Sequence, residues 1–238
     1  MIKNIKKIIQ FIGYNLAKPF IFLKYDKNPL SLYEEEEIKK SYEYFKKYFG
    51  KAILSNNSED VSNFAISEAI KNSSKSDYFL EFGVYTARSI NRFAKTLNMH
   101  NFNIYGFDSF EGLSHNWYGT LREHSIFSGV FKLDSMPQTD QNVTLIKGKV
   151  EDTLDPFLEK HKPSIKFVHL DLDIYHPTKH VLLSIKKYCK SGTIIVFDEL
   201  YGYAGWQEHE FKALNEVFHK DDYEFIAFGK LQAAIKLK

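Results

Sequence analysis

The sequence predicts an α/β fold: a mostly parallel sheet with helices on both faces, closed by a C-terminal β-hairpin and preceded by an N-terminal helical cap. Three observations lead there. From Asp77 onward, short apolar runs alternate with helical stretches, the order that builds parallel βα units. The last two apolar runs, 224–228 and 232–237, are separated only by Gly229, Lys230 and Leu231, which is hairpin spacing. Before Asp77 the apolar residues recur at helical rather than strand spacing.

Residues 1–24 read as a basic amphipathic helix. Lys3, Lys6, Lys7, Lys18 and Lys24 precede the first acidic residue, Asp26, and Ile2, Ile5, Ile9, Ile12 and Leu16 form an apolar stripe. Gln10, Asn15 and Lys18 interrupt that stripe and Pro19 ends it, short of the roughly 20 apolar residues that cross a bilayer. No small-residue cleavage site follows, so a secretory signal is not expected. Two readings stay open: the stripe packs on the domain or on a second copy in a homo-oligomer, or it makes peripheral contact with a membrane surface.

After Pro29, Ser31 is expected to cap a helix whose first turn carries Glu34 to Glu37. Glu35 with Lys39 and Glu36 with Lys40 are spaced as ion pairs on what reads as a solvated face. A second helix is expected over 57–71, with Val61, Phe64, Ile66 and Ile70 partly periodic before a serine cluster. Residues 1–76 are thus assigned to the basic helix and helical cap, and 77–238 to the sheet domain. The sheet is expected to take strands from 78–82, 103–107, 143–146, 167–170 and 193–197, followed by the hairpin. The connection 112–141 is long and holds Trp117, Tyr118, Phe127 and Phe131, which fits either a cover over a site or an irregular crossover helix.

Composition narrows the partners. With 32 basic and 30 acidic residues, the net charge of +2 lacks the basic excess of a nucleic-acid protein. The single cysteine, Cys189, cannot close an intrachain disulfide and reads as a structural thiol of a reducing, cytoplasmic compartment.

In open α/β sheets, ligands bind beyond the carboxyl ends of the strands. The first strand there runs into E-F-G-V-Y-T-A-R, in which Glu81 and Gly83 open a turn. A dinucleotide fingerprint needs further glycines, and this chain has Tyr85 and Ala87 instead, which counts against a nicotinamide-dependent oxidoreductase. The second strand ends in F-D-S-F-E-G-L, where Asp108 can accept both hydroxyls of a ribose. The third leads into K-G-K-V-E-D-T-L, a turn at Gly148 placed to sit beside an adenine ring. The fourth ends in H-L-D-L-D-I-Y and the fifth in V-F-D-E-L-Y, so Asp171, Asp173, Asp198 and Glu199 converge at one rim. Carboxylates packed that closely need a cation, a shared proton or a basic partner, and hard oxygen ligands suit Mg²⁺ or Ca²⁺. The string E-H-E-F-K-A around His209 lacks the second histidine of a zinc protease. His176 and His180 could share a helix face, but no third nitrogen or sulfur ligand lies nearby in sequence.

Taken together, E-F-G-V, F-D-S-F-E-G-L, K-G-x-x-E-D-T-L, H-L-D-L-D-I-Y, V-F-D-E and G-W-Q-E-H-E-F-K-A-L resemble the macrocin O-methyltransferase-like branch of class I S-adenosylmethionine-dependent methyltransferases. The resemblance covers residues 78–218. It implies a Rossmann-like sheet and methyl transfer to a hydroxyl of a sugar, glycan or related small molecule, with help from a divalent metal. It also implies that Glu81, Gly83 and Asp108, with Phe82, Val84 and Ser109 beside them, hold the methionine and ribose parts of S-adenosylmethionine. Gly148 and Val150 would border adenine, and Asp171, Asp198 and Glu199 would bind Mg²⁺. With a metal there to lower the acceptor hydroxyl's pKa, Asp171 and Asp173 are the expected catalytic residues, Asp173 or a nearby histidine taking the proton. Two departures are visible: Glu199 stands where the family tends to have a second Asp, and Ala87 where it usually has Gly. The alternative of another class is a membrane-associated module with this fold and no turnover.

Overall fold

The computed structural model describes residues 28–121 and 127–238. The basic segment 1–24 and its membrane or oligomer role lie outside the described residues. By compactness the chain divides into Met1–Glu36 and Glu37–Lys238. The described part of the first unit is the opening of helix α1 (Pro29–Phe49). There Asn28, not Ser31, is the capping residue: its Oδ1 accepts from the N–H groups of Leu30 (2.9 Å) and Ser31 (3.0 Å).

In the second unit, α1 continues and departs from a fully solvated acidic face. Glu37 is buried and pairs with Lys40 at 3.0 Å. The aromatic side of α1 packs on the core here, Phe45 being fully buried against Trp206, Phe211, Phe225 and Phe228. A two-residue strand, β1 (Ile53–Leu54), was not legible in the sequence and joins the sheet edge by pairing with Ala227 and Phe228. Helix α2 (Ser58–Lys71) follows, with the Asn57 side chain accepting from Glu59 N–H as a cap.

The sheet proper consists of β2 (Asp77–Phe82), β3 (Ile104–Asp108), β4 (Val143–Lys147), β5 (Ser164–Leu170), β6 (Cys189–Phe197), β7 (Tyr223–Phe228) and β8 (Ala233–Leu237). Their spatial order is β1-β7-β8-β6-β5-β2-β3-β4. The pairings from β4 to β6 are parallel, and β8 runs antiparallel between β6 and β7. This is a Rossmann-like sheet finished by a hairpin. The crossovers carry α3 (Arg88–Asn98), α4 (Val150–His161), α5 (Tyr175–Ile185) and, before the hairpin, α6 (Glu210–Val217). Among its described residues the connection from β3 to β4 contains no helix. It folds back on itself through a bridge between Glu111 and Lys132.

Strand alternation splits the core in two. Leu80, Phe82, Val168, Leu170, Ile195 and Phe197 face α4, α5 and α6, while Phe79, Phe167, Ile194 and Val196 face α2 and α3. No helix among the described residues is long and apolar enough to cross a membrane.

Candidate active site

The register of the sheet brings four strand ends to one level. Phe82 pairs with Phe107 on one side and Leu170 on the other, and Leu170 pairs with Phe197. Gly83, Asp108, Asp171 and Asp198 therefore leave the sheet together. Strand order reverses between β2 and β5, so this is the switch point where a crevice opens. The crevice is tight at its base. Asp171 N–H donates to Phe82 O at 2.8 Å, and a Cβ on Gly83 would lie 1.7 Å from the Asp171 carbonyl oxygen. Gly83 also has φ +84°, so both space and conformation require glycine.

One cavity occupies the crevice. Toward β2, β3 and β4 it is lined by Gly83, Tyr85, Asp108, Ser109, Lys149 and Val150. Asp108 organises this half: Oδ2 accepts from Val84 N–H (2.7 Å) and Tyr85 N–H (2.8 Å), and Oδ1 from Phe110 N–H (2.6 Å). Ser109 Oγ accepts from Glu111 N–H at 3.1 Å. Gly148 stays just outside the lining, its N–H bonded to Asp108 O at 3.0 Å, and it delivers Lys149 and Val150 to the wall. Tyr85, Phe131 and Asp173 line the cavity with positive φ angles of 47°, 72° and 61°. Each such L-residue costs roughly 1–2 kcal/mol, and such strain concentrates at functional sites. Ala87, at the position where the resembled family has glycine, also has a positive φ of 63°.

Glu81, Phe82 and Val84 shape the cavity from behind rather than lining it. Glu81, expected to meet a ligand, has its side chain turned to the α3 face by strand alternation. There it is fully buried, accepts from Ser89 Oγ and lies 3.3 Å from His169 Nδ1. Phe82 stacks on Phe107 at 4.9 Å on the opposite face, and Val84 contributes its N–H to Asp108. The other nitrogen of His169, Nε2, stands 3.6 Å from Asp198 Oδ1. Burial alone would lower the pKa of His169, but the flanking carboxylates of Asp198 and Glu81 outweigh it and raise it to about 9.

Toward β5 and β6 the cavity is lined by Asp171, Asp173, Ile174, Pro177 and Glu199. One carboxylate oxygen from each of Asp171, Asp173 and Glu199 lies within 4.8 Å of the other two. Oxygens on opposite sides of a hard cation at about 2.1–2.5 Å stand roughly 4–5 Å apart, so this donor set fits Mg²⁺ or Ca²⁺. Asp198, also expected as a ligand, accepts from Gln232 Nε2 at 2.5 Å and lies 3.6 Å from His169 Nε2, while Asp173 stands in the group. Burial, with the charges of Asp198, Glu199, Asp173 and Glu210, pushes the Asp171 carboxyl well above the usual range. Glu210 is fully buried behind the group and accepts from Glu199 N–H at 3.0 Å; burial and then Asp198 push it up as well. A cation or protons must therefore offset this charge.

His169, Glu210 and Gln232 were not anticipated as parts of the site. The signal for His169 was a polar residue inside an otherwise apolar strand; Glu210 and Gln232 carried none without the packing of α6 and β8. Of the long connection, Leu113, Trp117 and Phe131 do reach the cavity.

A family model described as a methyltransferase domain matches residues 80–200, more than half of the chain. The chain belongs to this family. Solved structures agree in fold. The calicheamicin methyltransferase CalS11 is 20% identical over 92% of this chain and 90% of its own, with a TM-score of 0.63. An apo structure of CalS11, described as a TDP-rhamnose 3'-O-methyltransferase of calicheamicin biosynthesis, is 22% identical over 75% and 78%, with a TM-score of 0.55. The O-methyltransferase NovP is 17% identical over 76% and 78%, with a TM-score of 0.54. Among curated proteins, none matches the chain.

Proposed function

We propose that this methyltransferase moves the methyl group of S-adenosylmethionine to a hydroxyl oxygen of a sugar, glycan or related small molecule, with a divalent cation such as Mg²⁺ at Asp171, Asp173 and Glu199. The observation that carries the reading is that one cavity joins two halves of different chemistry. One is the turn of Gly83, Asp108 and Val150; the other is the carboxylate group at the ends of β5 and β6. The names of the similar structures, a TDP-rhamnose 3'-O-methyltransferase and an O-methyltransferase, support oxygen as the acceptor atom and a sugar as its bearer.

In the donor half, Asp108 offers charge-assisted acceptance to ribose hydroxyls, and Val150 with Lys149 borders the base. The absence of a glycine-rich turn after Gly83 leaves no cradle for a pyrophosphate. In the acceptor half, the hydroxyl oxygen attacks the sulfonium methyl in line. An O–C bond forms, the S–C bond breaks, and its electron pair stays on sulfur in S-adenosylhomocysteine. The hydroxyl proton passes to Asp171 or Asp173, the carboxylates that line the cavity at the end of β5. The cation, when bound, supplies positive charge that makes the acceptor hydroxyl more acidic. The enzyme's main contribution is positioning.

The test is release of S-adenosylhomocysteine from S-adenosylmethionine in the presence of methyl glycosides, TDP-rhamnose and lipid-linked glycans. Acceptor-dependent release supports the proposal. Tight cofactor binding with no turnover on any hydroxyl acceptor favours a module without catalysis.

A further inference from the structure

The roof of the acceptor half is fastened by a residue outside the cavity. His209 Nε2 stands 2.8 Å from the carbonyl oxygen of Tyr118. A carbonyl only accepts, so Nε2 carries the proton and donates it. The same imidazole meets the Trp117 ring edge to face at 5.8 Å and 90°, and Tyr203 meets Trp117 from another side at 6.0 Å and 73°. The approach is close because residue 205 is glycine: a Cβ there would come within 2.8 Å of the Gly119 backbone. Trp117 is 2% exposed and lines the cavity; His209 is 6% exposed and does not.

We propose that His209 is a positioning residue that fixes Trp117 as an apolar wall of the acceptor half, so that the site selects acceptors with an apolar ring face beside the reacting hydroxyl, as the C–H face of a pyranose provides. This rests on the reading above. Trp117 lines the cavity and packs on Tyr203 and His209 of the segment after β6, the segment that opens with Asp198 and Glu199. Leu113, Ile174 and Pro177 extend the apolar lining there, while Asp171 and Asp173 supply the polar edge. A sugar has the same two characters, hydroxyls at the rim and C–H groups on the face, and aromatic side chains suit such amphipathic partners.

The chain has two tryptophans, Trp117 and Trp206. Incorporation of 5-fluorotryptophan gives two fluorine resonances, assigned with W117F and W206F. The probes are methyl α-rhamnopyranoside, methyl β-glucopyranoside and TDP-rhamnose, added to the full chain saturated with S-adenosylhomocysteine. At least one probe should shift the Trp117 resonance and leave that of Trp206 in place. H209A should move or broaden the Trp117 resonance and weaken the probe by up to about tenfold, the size of one lost buried hydrogen bond. It should leave S-adenosylhomocysteine affinity unchanged. H209Q, which keeps an N–H donor, should restore both the resonance and the affinity. A Trp117 resonance identical in wild type and H209A overturns the positioning role, and no response of Trp117 to any probe overturns the acceptor wall. Failure of the wild type to bind S-adenosylhomocysteine would instead defeat the methyltransferase reading, while the H209A resonance would still report on the fastening.

Discussion

Gly83 and Asp171 touch through their backbones: a side chain at residue 83 would enter the space of the Asp171 carbonyl oxygen, 1.7 Å from the ideal Cβ position. This contact sets the base of the crevice between β2 and β5, so Gly83→Ala cannot be absorbed by a flexible neighbour. The substitution should cost about 3 kcal/mol or more, combining backbone displacement with a left-handed conformation that alanine resists. Urea unfolding measures it; a loss below about 1 kcal/mol would show that the two strand ends separate easily.

The buried arrangement of Glu81, His169 and Asp198 leads to a second expectation. His169→Ala removes the cation from between two carboxylates, one of them fully buried, and should destabilise the chain by about 3–5 kcal/mol. Adding Glu81→Gln should recover part of that loss, because a neutral amide no longer needs a cation. Additive losses in the double variant would contradict a direct coupling.

The donor set can be distinguished by calorimetric titration with Mn²⁺ or Mg²⁺. Asp171→Asn, Asp173→Asn and Glu199→Gln should each weaken the cation by more than the roughly tenfold that removal of an outer partner costs. Asp198→Asn, whose carboxylate is engaged by Gln232 and His169, should do less harm to cation binding. Loss of the cation in Asp198→Asn with full retention in Asp173→Asn would restore the ligand set implied by family resemblance.

Cys189 gives a prediction in pH. Burial pushes its thiol up from an ordinary 9 to about 12, against a smaller opposing effect of the Thr193 hydroxyl. A raised pKa leaves less thiolate at any given pH, so iodoacetamide should react slowly with the folded chain at pH 9 and progressively faster toward pH 12. The urea-unfolded chain should react as an ordinary thiol at pH 9. The linked contribution to stability is complete below pH 9 and is lost as pH rises toward 12. Equal rates for folded and unfolded chains at pH 9 would contradict it.

Much of this site was legible because strand ends announce themselves. The runs ending at Phe82, Phe107, Leu170 and Phe197 were recognisable as strands, and the parallel order then placed Gly83, Asp108, Asp171 and Asp198 at one level. Which way each side chain turns was less legible. Glu81 and Asp108 both belong to strand ends, yet pleat direction sends Glu81 into the α3 face and leaves Asp108 at the crevice. Asp173, rather than Asp198, stands with Asp171 and Glu199 for a similar reason. Gln232, on a hairpin far away in sequence, claims Asp198, and a left-handed backbone at Asp173 aims that residue differently from a regular helix cap. The two-residue β1 was invisible because so short a strand has no period, and exists through its pairing with Ala227 and Phe228.

The central claim is tested most directly by calorimetric titration of S-adenosylhomocysteine into the full chain, with NAD as the comparison ligand. The account predicts binding at one site for S-adenosylhomocysteine, none for NAD, and a loss of about 1.5–3 kcal/mol in Asp108→Ala, the range for a hydrogen bond to a charged group. Binding of NAD in preference to S-adenosylhomocysteine, or full affinity in Asp108→Ala, would contradict it.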